Sequence, residues 1–287
     1  MTESVEKAIT DAVIGRFHEA PNPRIREISE SLVRNLHNFI REIKPTQDEW
    51  GYAIDFLTRT GQKCSDTRQE FILMSDTLGV SMLVDAINNV CEHGETESTV
   101  LGPFYVQNPQ VFANGADIAG KMKGTPLYIA GRILSADGKP IANATVDIWH
   151  SDEAGFYDVQ QMEELGGFAG RARLVTDAEG KFSCWTVEPI EYPVPSDGPV
   201  GAMLLAQGRH PWRPAHVHFM IEAAGYRKLV THIFVEGNKY LESDAVFGVK
   251  ESLVREFPRH PQGVAPDGST RKSISSTLDF DFKLAKG

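Results

Sequence analysis

The chain has 287 residues, 41% of them apolar, with 29 Lys plus Arg against 39 Asp plus Glu for a net charge of −10. That length is one large domain or two ordinary ones, and the composition excludes wholesale disorder. The acidic balance argues against a nucleic-acid binder. No apolar run approaches the ~20 residues that cross a bilayer, so no transmembrane segment is expected.

The first thirty residues carry acids throughout and lack a continuous apolar h-region, so no signal peptide is expected and the protein reads as cytoplasmic. Val5, Ile9, Ala12, Val13 and Phe17 form a short helical stripe that closes at Pro21 and Pro23. Ile28, Leu32, Val33, Leu36, Phe39, Ile40 and Ile43 form a longer one, with Pro45 just past its end. Thr46 and Glu49 have the spacing of a capping box opening a third helix through Trp50, Ala53, Ile54 and Leu57. A fourth helical stretch runs from Asp66 to Val90, through Phe71, Met74, Leu78, Leu83 and Ile87. These stripes serve either to cover a neighbouring sheet or to join two copies of the chain.

Composition shifts near residue 100. Residues 1–100 hold five of 25 Gly and three of 16 Pro, with 10 basic and 17 acidic residues. From about 125 the period becomes that of strands: 126–152 around Asp137-Gly138, 171–189 around Asp177 to Gly180, then HVHFMIEA and KLVTHIFVEG. The expected fold is therefore α+β, a helical region over 1–100 followed by a β-sandwich over 101–287. Phosphate-binding glycine loops and internal repeats are absent from the sequence. Cys64, Cys91 and Cys184 are too few and too scattered for a disulfide framework or a Cys-based zinc site.

His216-Val217-His218 is the sharpest chemical signal, because residues i and i+2 of a strand share a face and can reach one metal. A pair of ordinary surface histidines reads the same way. Arg213-Pro214-Ala215 leads directly into the pair, and Trp212 and Phe219 favour a half-buried setting, where unpaired imidazoles are costly. Further ligands of the HExxH or C-x-x-C kind are missing, but Tyr157 in GFYD and Tyr192 in EYPVP sit in turn-like contexts. Each could equally be a packing residue. Two phenolates and two imidazoles would make a hard, anionic donor set suited to Fe(III) over Zn(II).

The segments LGPFY (101–105), VDIWHSDEAGFYD (146–158), TDAEGKF (176–182), EYPVPSDGPVG (191–201), GRHPWRPAHVHF (208–219) and GYRKLVTHIF (225–234) resemble the intradiol ring-cleavage dioxygenases, in their catechol and hydroxyquinol 1,2-dioxygenase branch. The likeness runs from about residue 20 to 280 in order and spacing. It implies a mononuclear Fe(3+) held by Tyr157, Tyr192, His216 and His218, and O2-dependent cleavage of an aromatic vicinal diol. Tyr192 would double as a general base, and Arg213 would steady negative charge on the ring. The resemblance also implies a helical dimerisation region ahead of the catalytic sandwich, a homodimer, and an apolar tunnel between subunits able to hold a phospholipid.

By the same likeness the pocket is lined by Leu73, Asp76, Val100, Pro103, Phe104, Ala245 and Val246, with His232 against the substrate. An acid at Asp76 can accept a hydrogen bond from a third ring hydroxyl, which favours hydroxyquinol (benzene-1,2,4-triol) over catechol or chlorocatechol. From a different class, a transthyretin-like sandwich that carries an aromatic without turnover has no need of the four donors together. A zinc hydrolase lacks its third imidazole or carboxylate.

Overall fold

The computed structural model describes residues 2–65 and 68–287, with side chains of the first helix from Val5 onward. Two compact units emerge, residues 1–59 and residues 60–287. The first holds α1 (Thr2–Gly15), α2 (Pro23–Ile43) and most of α3 (Gln47–Lys63). Pro23 sits in the first turn of α2, where its missing N–H costs nothing, and Asn22 caps that turn by accepting from the amides of Arg24 and Ile25. The expected capping box is present: Glu49 N–H donates to Thr46 Oγ1, and Thr46 N–H donates to Glu49 Oε2 at 2.7 Å. Thr10 of α1 bonds His37 of α2 at 2.9 Å and also receives Arg41. The outward stripe of α2 is bare: Ile28, Leu32, Leu36, Phe39 and Ile43 are each at least half exposed within the single chain.

In the second unit the stretch expected as one helix is two, α4 (Glu70–Thr77) and α5 (Val80–Asn88). The break has a local cause. Gly79 adopts φ +73° and stops α4, which a continuous apolar pattern does not announce. Asp66, where the expected helix began, lies outside the described residues. Two short helices follow later in the chain, α6 (Met162–Leu165) and α7 (Pro199–Ala206).

The strands are β1 (Pro126–Ser135), β2 (Thr145–His150), β3 (Arg171–Val175), β4 (Lys181–Val187), β5 (Tyr192–Pro193), β6 (Trp212–Arg213), β7 (His216–Glu222), β8 (Leu229–Val235), β9 (Val254–Arg255), β10 (Arg259–His260), β11 (Gly263–Val264), β12 (Thr270–Arg271), β13 (Ser275–Asp279) and β14 (Phe282–Leu284). One five-stranded sheet centres on β1, with β4 antiparallel on one side and β13 and β14 parallel on the other. The second runs β3-β2-β7-β8-β9. The side chains that the two sheets turn toward each other make the main core, including Leu127, Ile129, Ile148, Val217, Phe219, Ile233 and Leu278. β7 is buried on both faces except at Glu222. Val217, Phe219 and Ile221 feed the core, so period two turns His216 and His218 to the opposite face.

Candidate metal centre

Register builds the site. Trp149 of β2 pairs with His218 of β7, and His218 pairs with His232 of β8, so three rings form a row across the sheet. Trp149 stacks on His218 with centroids 4.6 Å apart, and His232 meets His218 edge-on at 4.1 Å. Tyr105 packs against Trp149 and donates its hydroxyl to Asp147; burial and that acid push its phenol up to about 12.

The loop after β2 supplies Tyr157. Asp152 shapes the turn by accepting the amides of Ala154 and Phe156. Asp158 then anchors it: its carboxylate takes two bonds from Arg171, at 2.9 and 2.5 Å, and the amides of Val159 and Ala169. Both members of this ion pair are buried. The pairing of β5 with β6 places Tyr192 beside Arg213, whose guanidinium is 2% exposed and bonds Asp244 through Nε and Nη2.

The four expected donors converge. The Tyr157 hydroxyl lies 2.8 Å from His218 Nε2, and the two Nε2 atoms of His216 and His218 are 3.1 Å apart. Tyr192 is edge-on to Tyr157 at 5.2 Å and tilted against His216 at 5.6 Å. The H-x-H pair, expected to be half-buried, is fully buried, with both imidazoles 1% exposed. Arg213 Nη1 points at His216 Nε2 and Nη2 at His232 Nδ1, each at 3.4 Å.

Electrostatics test whether a cation suits this cluster. Burial first, and neighbouring charges second, hold His216, His218 and His232 well below the usual imidazole value, so all three are neutral. Burial, then Tyr192, pushes the Tyr157 phenol well above its ordinary value. Burial alone would pull Arg213 down, but Asp244 and Tyr192 hold it charged. His216 donates Nδ1–H to the Pro214 carbonyl at 2.7 Å, which leaves Nε2 as a lone pair facing His218 Nε2, with Arg213 Nη1 3.4 Å away. Lone pairs gathered at that spacing, beside a phenol that ionises only next to strong positive charge, fit a metal cation. Among the described residues, His216, His218 and His232 are the one group of three metal-capable His, Cys, Asp or Glu side chains.

The other expected residues are all buried or half-buried. Phe104 stacks on Tyr157 at 4.4 Å, and Pro103 is half-buried beside it. Leu73, Val100 and Val246 share a buried apolar cluster with Val194, Val200 and Leu204. Asp76 is 3% exposed; burial raises its carboxyl, against a Ser81 hydrogen bond and the Arg213 charge. Ala245 is buried, its amide bonded to the Trp212 carbonyl. Trp149, Asp158, Arg171 and Asp244 escaped the sequence reading. Alternation in VDIWH sets Asp147 and Trp149 apart from Val146 and Ile148, but only the strand register shows that Trp149 covers His218.

Comparison with known proteins accounts for the arrangement. A family profile described as Dioxygenase matches residues 100–286, and one described as Catechol dioxygenase N terminus matches 22–96. The 6-chlorohydroxyquinol 1,2-dioxygenase of Cupriavidus pinatubonensis is 50% identical, over 99% of this chain and 99% of its own. The hydroxyquinol 1,2-dioxygenase of Rhodococcus opacus is 48% identical, over 98% and 94%. The solved hydroxyquinol 1,2-dioxygenase of Pseudomonas putida DLL-E4 superposes with a TM-score of 0.91, at 44% identity and covering 99% of this chain and 100% of the other. This chain belongs to the intradiol ring-cleavage dioxygenases. The helical first part and sheet-rich second part of this dioxygenase match the architecture of that solved relative. Intradiol dioxygenases use non-haem iron, and the histidine cluster is present here. No helix among the described residues is long and apolar enough to cross a membrane.

Proposed function

We propose that this dioxygenase opens hydroxyquinol between its two adjacent hydroxylated carbons, adding both atoms of O2 to give 3-hydroxy-cis,cis-muconate, which tautomerises to maleylacetate. The observation that carries the reading is the convergence of Tyr157, Tyr192, His216 and His218 on one buried point, with a buried carboxyl, Asp76, within reach of the Arg213 charge. The names of the two relatives at 48% and 50% identity support the choice of substrate.

Tyr157, His216 and His218 would hold Fe(3+), and Tyr192 would complete the set. Fe(3+) held there would supply Lewis-acid chemistry toward a vicinal diol and O2. Tyr192 Oη takes up a substrate hydroxyl proton. Arg213, locked by Asp244, presents a fixed cation to negative charge developing on the ring. Asp76, which burial has already stripped of water, accepts the hydrogen bond of the third hydroxyl. Leu73, Val100, Pro103, Phe104, Ala245 and Val246 form the walls and shut out solvent, and His232 orients the substrate. Residues 101–287 carry the four donors, Arg213 and His232, to which Leu73, Asp76 and Val100 add part of the substrate wall. Residues 1–100 pair two subunits, with a phospholipid between them; the bare apolar stripe of α2 supports that division. The reaction belongs to the cytoplasm, where Cys64, Cys91 and Cys184 stay reduced.

Steady-state turnover of hydroxyquinol, catechol and 4-chlorocatechol by iron-loaded protein tests the reading. Hydroxyquinol should give the highest kcat/KM, together with a red-brown tyrosinate-to-iron absorption. Far better turnover of catechol would overturn the substrate and leave the reaction class standing. Full activity in a colourless, iron-free preparation would overturn the metal assignment.

A further inference from the structure

Arg209 lies outside the donor cluster, yet it touches both sides of the pocket. Its Nη1 donates to the Thr77 carbonyl at 2.6 Å, and its Nη2 donates to the Ala245 carbonyl at 3.0 Å. Nη1 also reaches Gln207 Oε1 at 3.4 Å. Thr77 is the last residue of α4, so its carbonyl has no partner within the helix and sits at the negative end of the backbone dipoles. α4 carries Leu73 and Asp76, while Ala245 and Val246 belong to the opposing turn. Leu73 and Val246 pack in the same apolar cluster, so the two walls meet at a depth where small shifts are felt.

A second contact ties the same two pieces. Phe247 adopts φ +59°, a left-handed conformation that a bulky side chain rarely takes. In it the ring lies 3.4 Å from where a Cβ on Gly79 would stand, against the end of α4, with the Arg209 guanidinium carbon 5.0 Å above its centroid. Asp244 closes the turn by accepting the amides of Val246 and Gly248 and by holding Arg213. The segment 209–213 therefore grips the 244–248 turn at both ends, and Arg209 alone of its two arginines extends that grip to α4 through Thr77.

We propose that Arg209 is a positioning residue: it fixes the separation between the Asp76 wall and the Ala245–Val246 wall, and so sets how strongly the enzyme distinguishes a ring with a third hydroxyl from one without. The planar fork of arginine can bridge two carbonyls and stack on an aromatic ring at once, whereas a lysine reaches one carbonyl as a point charge. Loosening the clamp moves Asp76 relative to the bound ring, which weakens the hydrogen bond to the extra hydroxyl more than the contacts both substrates share.

The proposal rests on hydroxyquinol cleavage, and the test separates the two. Iron-loaded Arg209→Met, Arg209→Lys and Asp76→Asn enzymes are compared with wild type on hydroxyquinol and catechol. The hydroxyquinol-to-catechol ratio of kcat/KM should fall about tenfold in Arg209→Met and less in Arg209→Lys, mainly through a raised KM for hydroxyquinol, with the iron–tyrosinate absorption kept. Equal losses on both substrates would mark Arg209 as merely structural and overturn the clamp, most plainly if Asp76→Asn does change the ratio. If Arg209→Met fails to fold, Arg209→Lys decides, because a wild-type ratio in that variant excludes the two-carbonyl bridge. A wild-type enzyme with no preference for hydroxyquinol overturns the substrate reading and the clamp's part in it together.

Discussion

Tyr157 is positioned by the residue that follows it. Asp158 takes two bonds from Arg171 and two backbone amides in a setting with almost no solvent, so removing one partner strands a buried charge. Asp158→Ala is expected to cost about 3–5 kcal/mol in urea unfolding, against little for an exposed pair such as Lys7–Asp11. It should also weaken the tyrosinate-to-iron absorption; an unchanged band would separate Tyr157 from its anchor. The buried imidazoles carry a second expectation. His150, His216, His218 and His232 are all held below the ordinary value of 6.5, by burial first, so the folded metal-free chain resists protonating them. The unfolded chain protonates them near 6.5, so the metal-free protein keeps its stability above that pH and loses it as pH falls below. The urea midpoint at pH 5.5 should lie clearly under that at pH 7.5, and equal midpoints would contradict it. The H-x-H pair was legible in the sequence because strand geometry dictates that both rings share a face. Trp149 and Asp244 were not, since their meaning depends on partners 69 and 31 positions away.

Elements differ in how much they reveal in one dimension. α2 and α3 announce themselves through apolar stripes and the Thr46–Glu49 box, and Pro45 falls just past the end of α2; Pro23, read as closing the first stripe, instead opens α2. The break between α4 and α5 hides inside a continuous apolar pattern, and the two-residue strands β5, β6 and β9 to β12 are too short to show any period. Their placement follows from what they pair with. The loop leading into Phe104 gives an element-level prediction. Gly102 holds φ +76°, and a Cβ there would stand 3.2 Å from His218 Cε1, so the backbone lies almost on the imidazole. Gly102→Ala combines backbone strain with pressure on that ring. Its iron content after dialysis against a chelator should fall several-fold below wild type while the circular dichroism is kept, and full retention of iron would show that the ring is free to yield.

At the scale of the molecule, the charge of −10 is concentrated in the helical part, whose first hundred residues carry 17 acids against 10 bases. That same part leaves an apolar ridge on α2 uncovered within the chain, from Ile28 at 51% exposed to Leu32 at 63%. Apolar surface flanked by charge supports the proposed subunit contact. Leu32→Asp with Leu36→Asp is expected to shift sedimentation from dimer to monomer at micromolar concentration, and an unaltered profile would move the contact elsewhere. The β-sandwich was readable from turn spacing, but its closure was not. β1 takes β13 and β14 as parallel neighbours, and Arg132 meets Asp281 across 149 positions of sequence. A parallel edge of this kind has a consequence for synthesis. When β1 leaves the ribosome, nothing yet made can occupy that edge, whereas β2, β3, β7 and β8, which frame the donor cluster, are all translated by residue 235. The layer that carries His216 and His218 can therefore assemble first, while the layer behind it waits some forty residues more for its last strands. During that interval one edge of β1 stands open to a neighbouring nascent chain, so crowding on the polysome bears on the yield of native enzyme.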